Sequence, residues 1–498
     1  MDPHVDEILH RLDTAPMGRL HKRLAWAAGL GVFLDGYDLV IIGIAMVFIK
    51  HQWHYTVLQS SMLGSAALAG AFIGALVAGR IADRFGRKII YLIDLMTFFA
   101  AAIMCSLAWS IGALIAFRFI LGMGIGADYP LSATYLAEFS PVRNRGATIT
   151  LVFGLWSVGA ICAGIAGLAL WSLGPWSWRL MLGLGALPAL LVIWLRRDMP
   201  ESPRWFLRRG DIQAAANVLR RLVPQLSDAD LHAIVERERK TIAVTPPGRW
   251  KLISPELRRV LFSPELRRAT LLACLPWFLM DLVGYYLTVY QPLILGHLGF
   301  VGDWQRVLGS TILSFAFLTG FIPLIFLVDR IGRIIPQIIG FLGSAICLLV
   351  IGCIAGAAAA NGGKFTPAMV ALAFVSLLIS TASNSFGPGN TTYMLPAEVY
   401  PTSVRATGHG FATAFSRFGA VLSTFFLPLI EVKIPKPWFF GLLAVLTALG
   451  ALLTWVFRID TRRTPLTQDV AQASLPTGGA AGPADRNTAD PSAAGPSP

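Results

Sequence analysis

Five carboxylates lie inside apolar stretches of this chain that are long enough to cross a membrane. They are Asp35, Asp38, Asp94, Asp128 and Asp281. A charged side chain at the centre of a bilayer costs about 2.5–3.5 kcal/mol on insertion scales, so acids at this depth are rare and usually face a water-filled path. Five such residues in one chain indicate a protein that moves protons or solutes across a membrane.

One of these acids belongs to a polar stripe on a predicted helix. Trp277, Asp281 and Tyr285 follow one another at intervals of four residues. Because successive residues of an α-helix are rotated by about 100°, the three side chains share one face. An indole N–H, a carboxylate and a phenol on one face predict a wall of a substrate site. The alternative is an aromatic packing stripe whose acid pairs with a neighbouring helix.

Two other predicted helices carry ionisable groups with a defined spacing. Arg118 and Asp128 lie about 15 Å apart along a helix, so they cannot pair with each other and each needs another partner. Asp35 and Asp38 lie three positions apart and share a face. Two acids this close repel each other when both are ionised, which favours a bound proton at neutral pH. Near the start of a later apolar stretch, Arg417 is the obvious cation of the C-terminal half.

Apolar stretches that recur along the whole chain position these residues. The 498 residues are 55% hydrophobic and 14% charged, whereas a soluble domain carries about 25% charged residues. About 20 apolar residues cross a hydrocarbon core, and in lipid they must form a helix. The predicted fold is therefore an all-α membrane protein with twelve transmembrane helices in two six-helix halves. The stretches are 24–49, 58–82, 89–109, 111–136, 147–172, 180–196, 269–294, 307–328, 335–357, 367–391, 407–430 and 437–457.

The net charge of +13 arises from basic residues in alternate loops. They concentrate at 11–23, 80–88, 143–145, 196–268, 330–333 and 405, and the intervening loops hold few. This is the positive-inside pattern, which predicts a multi-pass inner or plasma membrane protein with both termini in the cytoplasm. The charge therefore gives no reason to expect a nucleic-acid partner. The five cysteines lie in apolar stretches without metal-ligand spacing, and the polar first twenty residues predict no cleavable signal peptide.

The order of polar and apolar segments predicts five parts. Residues 1–23 form a cytoplasmic N-terminus, 24–196 an N-terminal six-helix bundle, 197–268 a cytoplasmic linker, 269–458 a C-terminal six-helix bundle, and 459–498 a cytoplasmic tail. The linker contains amphipathic helical patterns at 211–222 and 228–240. The tail is rich in Ala, Pro, Gly and Thr without apolar periodicity, which predicts disorder.

Two short charged motifs occur once in each half. Asp-Arg-x-Gly-Arg begins at Asp83 and again at Asp329, and two related connections begin at Glu138 and Glu398. Acids and arginines at helix ends pair readily, so we expect clusters that hold one arrangement of the halves and release it in the other. The alternative is simple retention of topology by positive residues. The candidate gating residues are Asp83, Arg84, Arg87, Glu138, Arg145, Glu201, Arg204, Asp329, Arg330, Arg333, Glu398 and Arg405.

With these motifs and Pro200-Glu201-Ser202-Pro203-Arg204 after the sixth helix, the chain resembles the major facilitator superfamily and its sugar-porter branch. A narrower resemblance is to the phosphate:proton symporters. It rests on Asp35-Gly36-Tyr37-Asp38, Gly126-Ala127-Asp128-Tyr129-Pro130, the Trp277, Asp281 and Tyr285 stripe, and Phe386-Gly387-Pro388-Gly389-Asn390. The resemblance implies a phosphate site lined by Asp128, Tyr129 and the stripe, and a proton route through Asp35, Asp38 and Asp94.

The chain departs from that family at three positions of the implied site. Trp156 stands where the family has a glutamine, Gly389 replaces an asparagine with Asn390 one place later, and Arg417 replaces a lysine. An indole in place of an amide makes the cavity smaller and more apolar on one side, which suits an organic anion. We therefore expect a substrate site of Asp128, Tyr129, Trp156, Trp277, Asp281, Tyr285, Asn390 and Arg417, and a proton route of Asp35, Asp38, Asp94, Arg118 and Asp128.

The expected function is proton-coupled uptake of a small solute by alternating access, with inorganic phosphate as the first candidate. One alternative is a proton-coupled symporter of a sugar, a carboxylate or another organic metabolite, and a second is a non-transporting sensor on the same bundle. The sequence shows no nucleotide-binding glycine loop, metal cluster or nucleophile–base pair, so we expect neither an enzyme nor a cofactor. The expected partners are the substrate, protons and the lipid bilayer, and a monomer is the default for this architecture.

Overall fold

The regular secondary structure of this chain is helical wherever the structure describes it. The computed structural model describes residues 19–85, 87–139, 145–197, 199–201, 206, 211–222, 255–401 and 404–459. Within these ranges there is no β-strand. The predicted all-α membrane fold is confirmed.

The helices of the first half follow the predicted stretches closely, except at the sixth span. That span begins earlier than predicted, with a 3₁₀ turn over Trp171–Trp176, and is divided near Gly185. The helices are α1 (Arg19–Trp53), α2 (Val57–Phe85), α3 (Arg87–Ser106), α4 (Ile111–Phe139), α5 (Arg145–Ala169), α6 (Ser177–Leu184) and α7 (Ala186–Arg196).

Two short helices precede the second half within the described part of the linker. They are α8 (Ile212–Leu222), which matches the predicted amphipathic pattern at 211–222, and α9 (Pro255–Phe262). The second half contains α10 (Pro264–Val289), α11 (Gln291–His297), α12 (Asp303–Ile331), α13 (Ile334–Ala360), α14 (Pro367–Phe386), α15 (Pro388–Val399), α16 (Arg405–Glu431) and α17 (Lys436–Phe457). Residues 1–18, the pattern at 228–240 and the tail from 460 lie outside the described residues.

The described helices supply the predicted membrane crossings. Ten segments are long and apolar enough to span a bilayer, and two shorter apolar segments, Ile111–Gly126 and Gly154–Ala169, lie in α4 and α5. Together they occur in the order and at the places of the twelve predicted stretches. The chain is a multi-pass membrane protein.

The tenth span is broken, which the sequence analysis did not predict. Gly387 leaves the helical conformation (φ −120°, ψ −104°), and α15 begins at Pro388, which has no amide hydrogen to continue the ladder of α14. The side-chain amide nitrogen of Asn390, Nδ2, donates to the carbonyl oxygen of Ser385 at 2.6 Å and bridges the break. The helix then continues to Val399, beyond the predicted end at 391.

Small residues allow the helices of each half to approach closely. A Cβ on Gly36 of α1 would lie 2.1 Å from the carbonyl oxygen of Trp156 in α5, and one on Gly122 of α4 would lie 1.9 Å from that of Ala67 in α2. Such distances forbid any side chain at these two positions. The two halves then pack against each other along α2 with α16 and along α5 with α12. This packing brings the acids of α1 and α4 toward the middle of the bundle.

Candidate substrate and proton site

The centre of the bundle holds a charge cluster that joins the two halves. Arg417 of α16 places a guanidinium nitrogen 3.8 Å from a carboxylate oxygen of Asp35 in α1, and both side chains are buried. The guanidinium also lies over the ring of Tyr285 in α10, 5.3 Å from its centroid. A cation from one half thus meets an acid from the other between aromatic and polar walls.

Asp281 completes this central cluster from α10. It is 2% exposed and interacts with Arg417, Ser416 and Trp277. Its Oδ2 atom has no hydrogen-bond partner among the described residues. A buried carboxyl oxygen without a donor carries a large desolvation cost. The position therefore suits an oxygen that binds a proton or a substrate hydroxyl.

The predicted stripe on α10 combines packing and polar character. The ring of Trp277 packs edge-on against Tyr393 at 5.8 Å and against His409 at 6.0 Å, so the indole belongs to a buried aromatic cluster. Asp281 and Tyr285 of the same face meet Arg417. Trp277 therefore has a packing role in the stripe, whereas Asp281 and Tyr285 line the central cluster.

A bidentate ion pair lies inside the first half. The two terminal guanidinium nitrogens of Arg118, Nη1 and Nη2, each donate to one carboxylate oxygen of Asp38 at 2.9 Å. The side chains are 0% and 5% exposed. Asp38 thus supplies the partner on the first helix that Arg118 required. Asp35 and Asp38 do not share one site, because each carboxylate meets a different arginine.

A second bidentate pair holds Asp128. The guanidinium of Arg196, at the end of α7, donates to both carboxylate oxygens of Asp128 at 2.7 and 3.2 Å and to the carbonyl oxygen of Ala27 at 2.9 and 3.1 Å. It also stacks on Tyr91 at 4.0 Å. Asp94 lies next to this pair, and its Oδ2 has no hydrogen-bond partner among the described residues.

Arg196 corrects the sequence analysis, which counted it among the loop cations that fix topology. It is 1% exposed and fully engaged inside the bundle. An arginine at the end of an apolar stretch has the signature of a topological signal, so its burial could not be seen from charge counting. The burial of Arg196 could have been predicted from Asp128, because a buried carboxylate needs a cation as its partner.

Two further predicted site residues have defined contacts, and one does not. Trp156 of α5 packs edge-on against Phe317 of α12 at 4.9 Å, across the boundary between the halves. Asn390 is buried and its amide nitrogen is engaged at the break in the tenth span. The backbone of Tyr129 lies in α4, and its side chain lies outside the described part of the structure.

Few of the candidate gating side chains are described. Arg333 contacts Glu398 at 2.8 and 2.9 Å within the second half, the backbone N–H of Lys88 donates to Glu201 at 3.0 Å within the first, and Arg330 is exposed. The side chains of the remaining candidates lie outside the described part of the structure, so their gating role stays a prediction. These residues are Asp83, Arg84, Arg87, Glu138, Arg145, Arg204, Asp329 and Arg405.

The second half also contains a small cavity of about 40 Å³ next to Phe317. Its polar lining is uncharged, and Phe317 and Phe341 are among its apolar walls. The polar residues are Thr288, Gln291, Ser344, Ser380, Thr381, Asn384 and Thr447. The Oε1 atom of Gln291 is buried without a hydrogen-bond partner in the described residues. This lining offers neutral donors and acceptors rather than charge.

The halves touch at the face of the bundle where α1 ends, which we call the outer face. The hydroxyl of Tyr290 lies 2.7 Å from the carbonyl oxygen of Thr424 and 3.2 Å from that of Ser60 in the other half. His51 at the end of α1 lies 2.9 Å from a carboxylate oxygen of Asp303 at the start of α12. These contacts close the outer face.

Comparison with known proteins identifies the family. Residues 24–469 match the family model described as "Sugar (and other) transporter". The chain belongs to this transporter family. One relative is the inner membrane metabolite transport protein YgcS of Escherichia coli, 33% identical over 92% of this chain and 95% of its own length. Another is the inorganic phosphate transporter 1-11 of Oryza sativa, 29% identical over 84% and 81%.

Solved structures of another protein share the architecture of this member of the family. The proton:xylose symporter XylE of E. coli, a major facilitator superfamily protein, superposes with a TM-score of 0.72 at 21% identity over 91% of this chain and 98% of its own. The predicted resemblance to the superfamily is confirmed. The relatives and structural neighbours are transporters, so the prediction that the chain is not an enzyme is confirmed as well.

Proposed function

We propose that this transporter carries out proton-coupled uptake of a small anion by alternating access, with inorganic phosphate as the first candidate. The observation that carries the proposal is the central cluster, in which Arg417 of one half lies between Asp35 of the other half and Asp281. The phosphate transporter among the relatives supports the substrate. The proposed setting is the inner or plasma membrane, with both termini in the cytoplasm and a monomer as the working unit.

The charges of this cluster link protons to the substrate. One guanidinium faces two carboxylates, so the cluster carries a net negative charge when both acids are ionised. An anion can then bind Arg417 only at a high electrostatic cost. Protonation of Asp281 or Asp35 removes that cost, and a bound anion in turn favours protonation. Because the two binding equilibria are linked, each ligand raises the affinity for the other.

Asp281 is the acid that we expect to contact the substrate. Its Oδ2 is buried without a donor, and it lies beside Arg417, which would bind the anionic oxygens. The P–OH group of a protonated phosphate can donate to this oxygen, whereas sulfate at neutral pH has no such hydrogen. Asp128 is held by Arg196, so we assign it and Asp94 to the proton route within the first half.

The places of the contacts between and within the halves support alternating access. The outer face is closed by contacts between the halves, whereas the described contacts of Arg333 and Lys88 at the opposite face remain within one half. The arrangement corresponds to a carrier closed on the outer side. Loading of the central cluster would shift the population between this arrangement and one closed on the opposite side.

The second candidate is a proton-coupled symporter of an organic metabolite. The contact of Trp156 with Phe317 puts an aromatic wall at the boundary between the halves, and the cavity next to Phe317 offers uncharged hydroxyl and amide groups. Such a lining suits the carbon skeleton and hydroxyls of an organic acid or sugar. The metabolite transport protein among the relatives supports this candidate.

Uptake of radiolabelled phosphate into proteoliposomes, with and without an inward proton gradient, tests the proposal. We expect uptake stimulated by the gradient in the unaltered protein and lost in Asp281→Asn. Glu265→Gln is the matched control, because it removes an exposed carboxylate from the same helix, α10. Unchanged uptake and unchanged pH dependence in Asp281→Asn would refute the role of the central cluster.

Competition experiments separate the substrate candidates. Unlabelled phosphate should inhibit and sulfate should not, if the P–OH contact exists. Inhibition by organic carboxylates or sugars, with none by phosphate, would favour the second candidate. A lack of counterflow with every solute, in protein shown to be folded, would support the non-transporting sensor.

A further inference from the structure

A buried carboxylate with two side-chain partners lies at the outer face, away from the central cluster. Glu431, the last residue of α16, has a side chain that is 3% exposed. Its Oε2 accepts a hydrogen bond from the hydroxyl of Tyr286 at 2.7 Å, and its Oε1 lies 2.5 Å from Nδ1 of His297. The His297 side chain is 31% exposed. This outer triad therefore connects a buried acid to solvent through one imidazole.

The outer triad adjoins the residue that seals the halves. Tyr286 is fully buried and packs between Tyr290, at 5.5 Å, and Phe439, at 5.3 Å. Tyr290 reaches Ser60 of the other half, in the space left by Gly64, where a Cβ would lie 2.3 Å from its hydroxyl. The position of Tyr290 thus depends on the end of α10, which Tyr286 and His297 tie to α16.

Few other charged groups surround the outer triad in the described structure. Lys436 of α17 reaches the carbonyl oxygen of His297 at 3.5 Å, and Lys433 before it is exposed. From the first half, Tyr55 lies within electrostatic reach of Tyr290. Asp303 is engaged by His51 and Arg306, both at 2.9 Å. Among these groups, His297 is the one that touches the buried acid.

We propose that Glu431, His297 and Tyr286 are positioning residues that hold Tyr290 in its sealing position in a proton-dependent manner. Opening of the outer face moves the end of α10 and α11 away from α16 and breaks the outer triad. The inference does not depend on the substrate of the transporter.

The direction of the pH effect follows from the partners. Protonated His297 forms an ion pair with Glu431, which is stronger than the hydrogen bond of a neutral imidazole. Histidine side chains change charge in the range between about pH 5 and 8. The closed outer face is therefore favoured in acid and loses this support as the outside pH rises. We expect the ratio of open to closed molecules to rise about tenfold, which corresponds to about 1.4 kcal/mol.

Distances between spin labels measure this ratio directly. Labels at Lys50→Cys and Val301→Cys lie on exposed positions of the two halves at the outer face, Val301 being 85% exposed. They would be introduced into a cysteine-free background in lipid nanodiscs and measured at pH 5.5 and 8.5. The unaltered triad should give a mainly short distance at pH 5.5 and a growing long-distance population at pH 8.5.

Four variants decide the inference. His297→Gln should abolish the difference between the two pH values, and Glu431→Gln should raise the open population at both. His54→Gln is the matched control, since it removes an exposed histidine that is not part of the outer triad, and it should keep the full response. A normal pH response in His297→Gln, or its loss in His51→Gln alone, would overturn the inference. Because the His297 side chain is partly exposed, we expect His297→Gln to fold. This variant tests the inference even if Glu431→Gln fails to fold.

Discussion

The bidentate pair of Asp38 and Arg118 allows a quantitative test of how the first half is held together. The perturbation is a double-mutant cycle of Asp38→Asn, Arg118→Met and the two combined. Each single substitution leaves one buried charge without its partner, in side chains that are 5% and 0% exposed. The expected loss of unfolding free energy is about 3–5 kcal/mol for each single variant.

The combined variant should be far less damaging than the two singles together. It removes both charges and leaves a buried amide, whose missing partner costs about 1–3 kcal/mol. We therefore expect a coupling energy of at least about 3 kcal/mol between the two positions. Equilibrium unfolding in mixed detergent micelles, followed by tryptophan fluorescence, measures all four corners of the cycle.

A partly exposed pair supplies the control for this cycle. Asp303 and Arg306 also lie at 2.9 Å, but their side chains are 27% and 30% exposed, so their coupling should stay below about 1 kcal/mol. Additive losses at Asp38 and Arg118 would refute the reasoning, because they would mean that the two charges do not depend on each other. A similar coupling at the partly exposed pair would show that burial is not the cause.

Three further predictions concern close contacts and the site. Gly36→Ala should lower stability by about 1–3 kcal/mol, because its Cβ would lie 2.1 Å from the Trp156 carbonyl oxygen, whereas Gly441→Ala, with nothing within 4 Å, should not lower it, as thermal unfolding would show. Arg196→Lys should reduce the initial uptake rate about tenfold and alter its pH profile, because a lysine cannot hold Asp128 in the bidentate geometry. Trp156→Gln should improve inhibition by phosphate relative to organic acids about tenfold, measured by competition.

Local periodicity made the number and order of the helices predictable, together with the polar stripe of α10. Trp277, Asp281 and Tyr285 share a face because their spacing alone requires it. The structure places Asp281 and Tyr285 beside Arg417 and the Trp277 ring against Tyr393 and His409. The break in the tenth span had a local signal, because a Gly-Pro pair such as Gly387-Pro388 often ends a helix. The pair was interpreted only as part of a family motif, and the backbone at Gly387 shows that the helix ends there.

The partners of the acids could not be predicted from the sequence. Asp35 and Asp38 point about 60° apart on their helix, which is enough to direct one toward Arg417 of the other half and the other toward Arg118. That choice depends on which helices pack on either side of α1. The pairing of Asp128 with Arg196 likewise depends on tertiary packing, since it joins the interior of α4 to the end of α7.

The neutral pairing inside the first half has an electrical consequence. Moving one elementary charge across a membrane potential of 100 mV changes its free energy by about 2.3 kcal/mol. Asp38 and Arg118 cancel each other, so this pair contributes almost no gating charge when the halves rock. In the proposed mechanism, the voltage acts instead on groups whose charge changes when protons and substrate bind. These are the central cluster of Arg417, Asp35 and Asp281 and the Asp94 carboxyl beside the Asp128–Arg196 pair. We expect the electrogenicity of transport to arise from these few side chains.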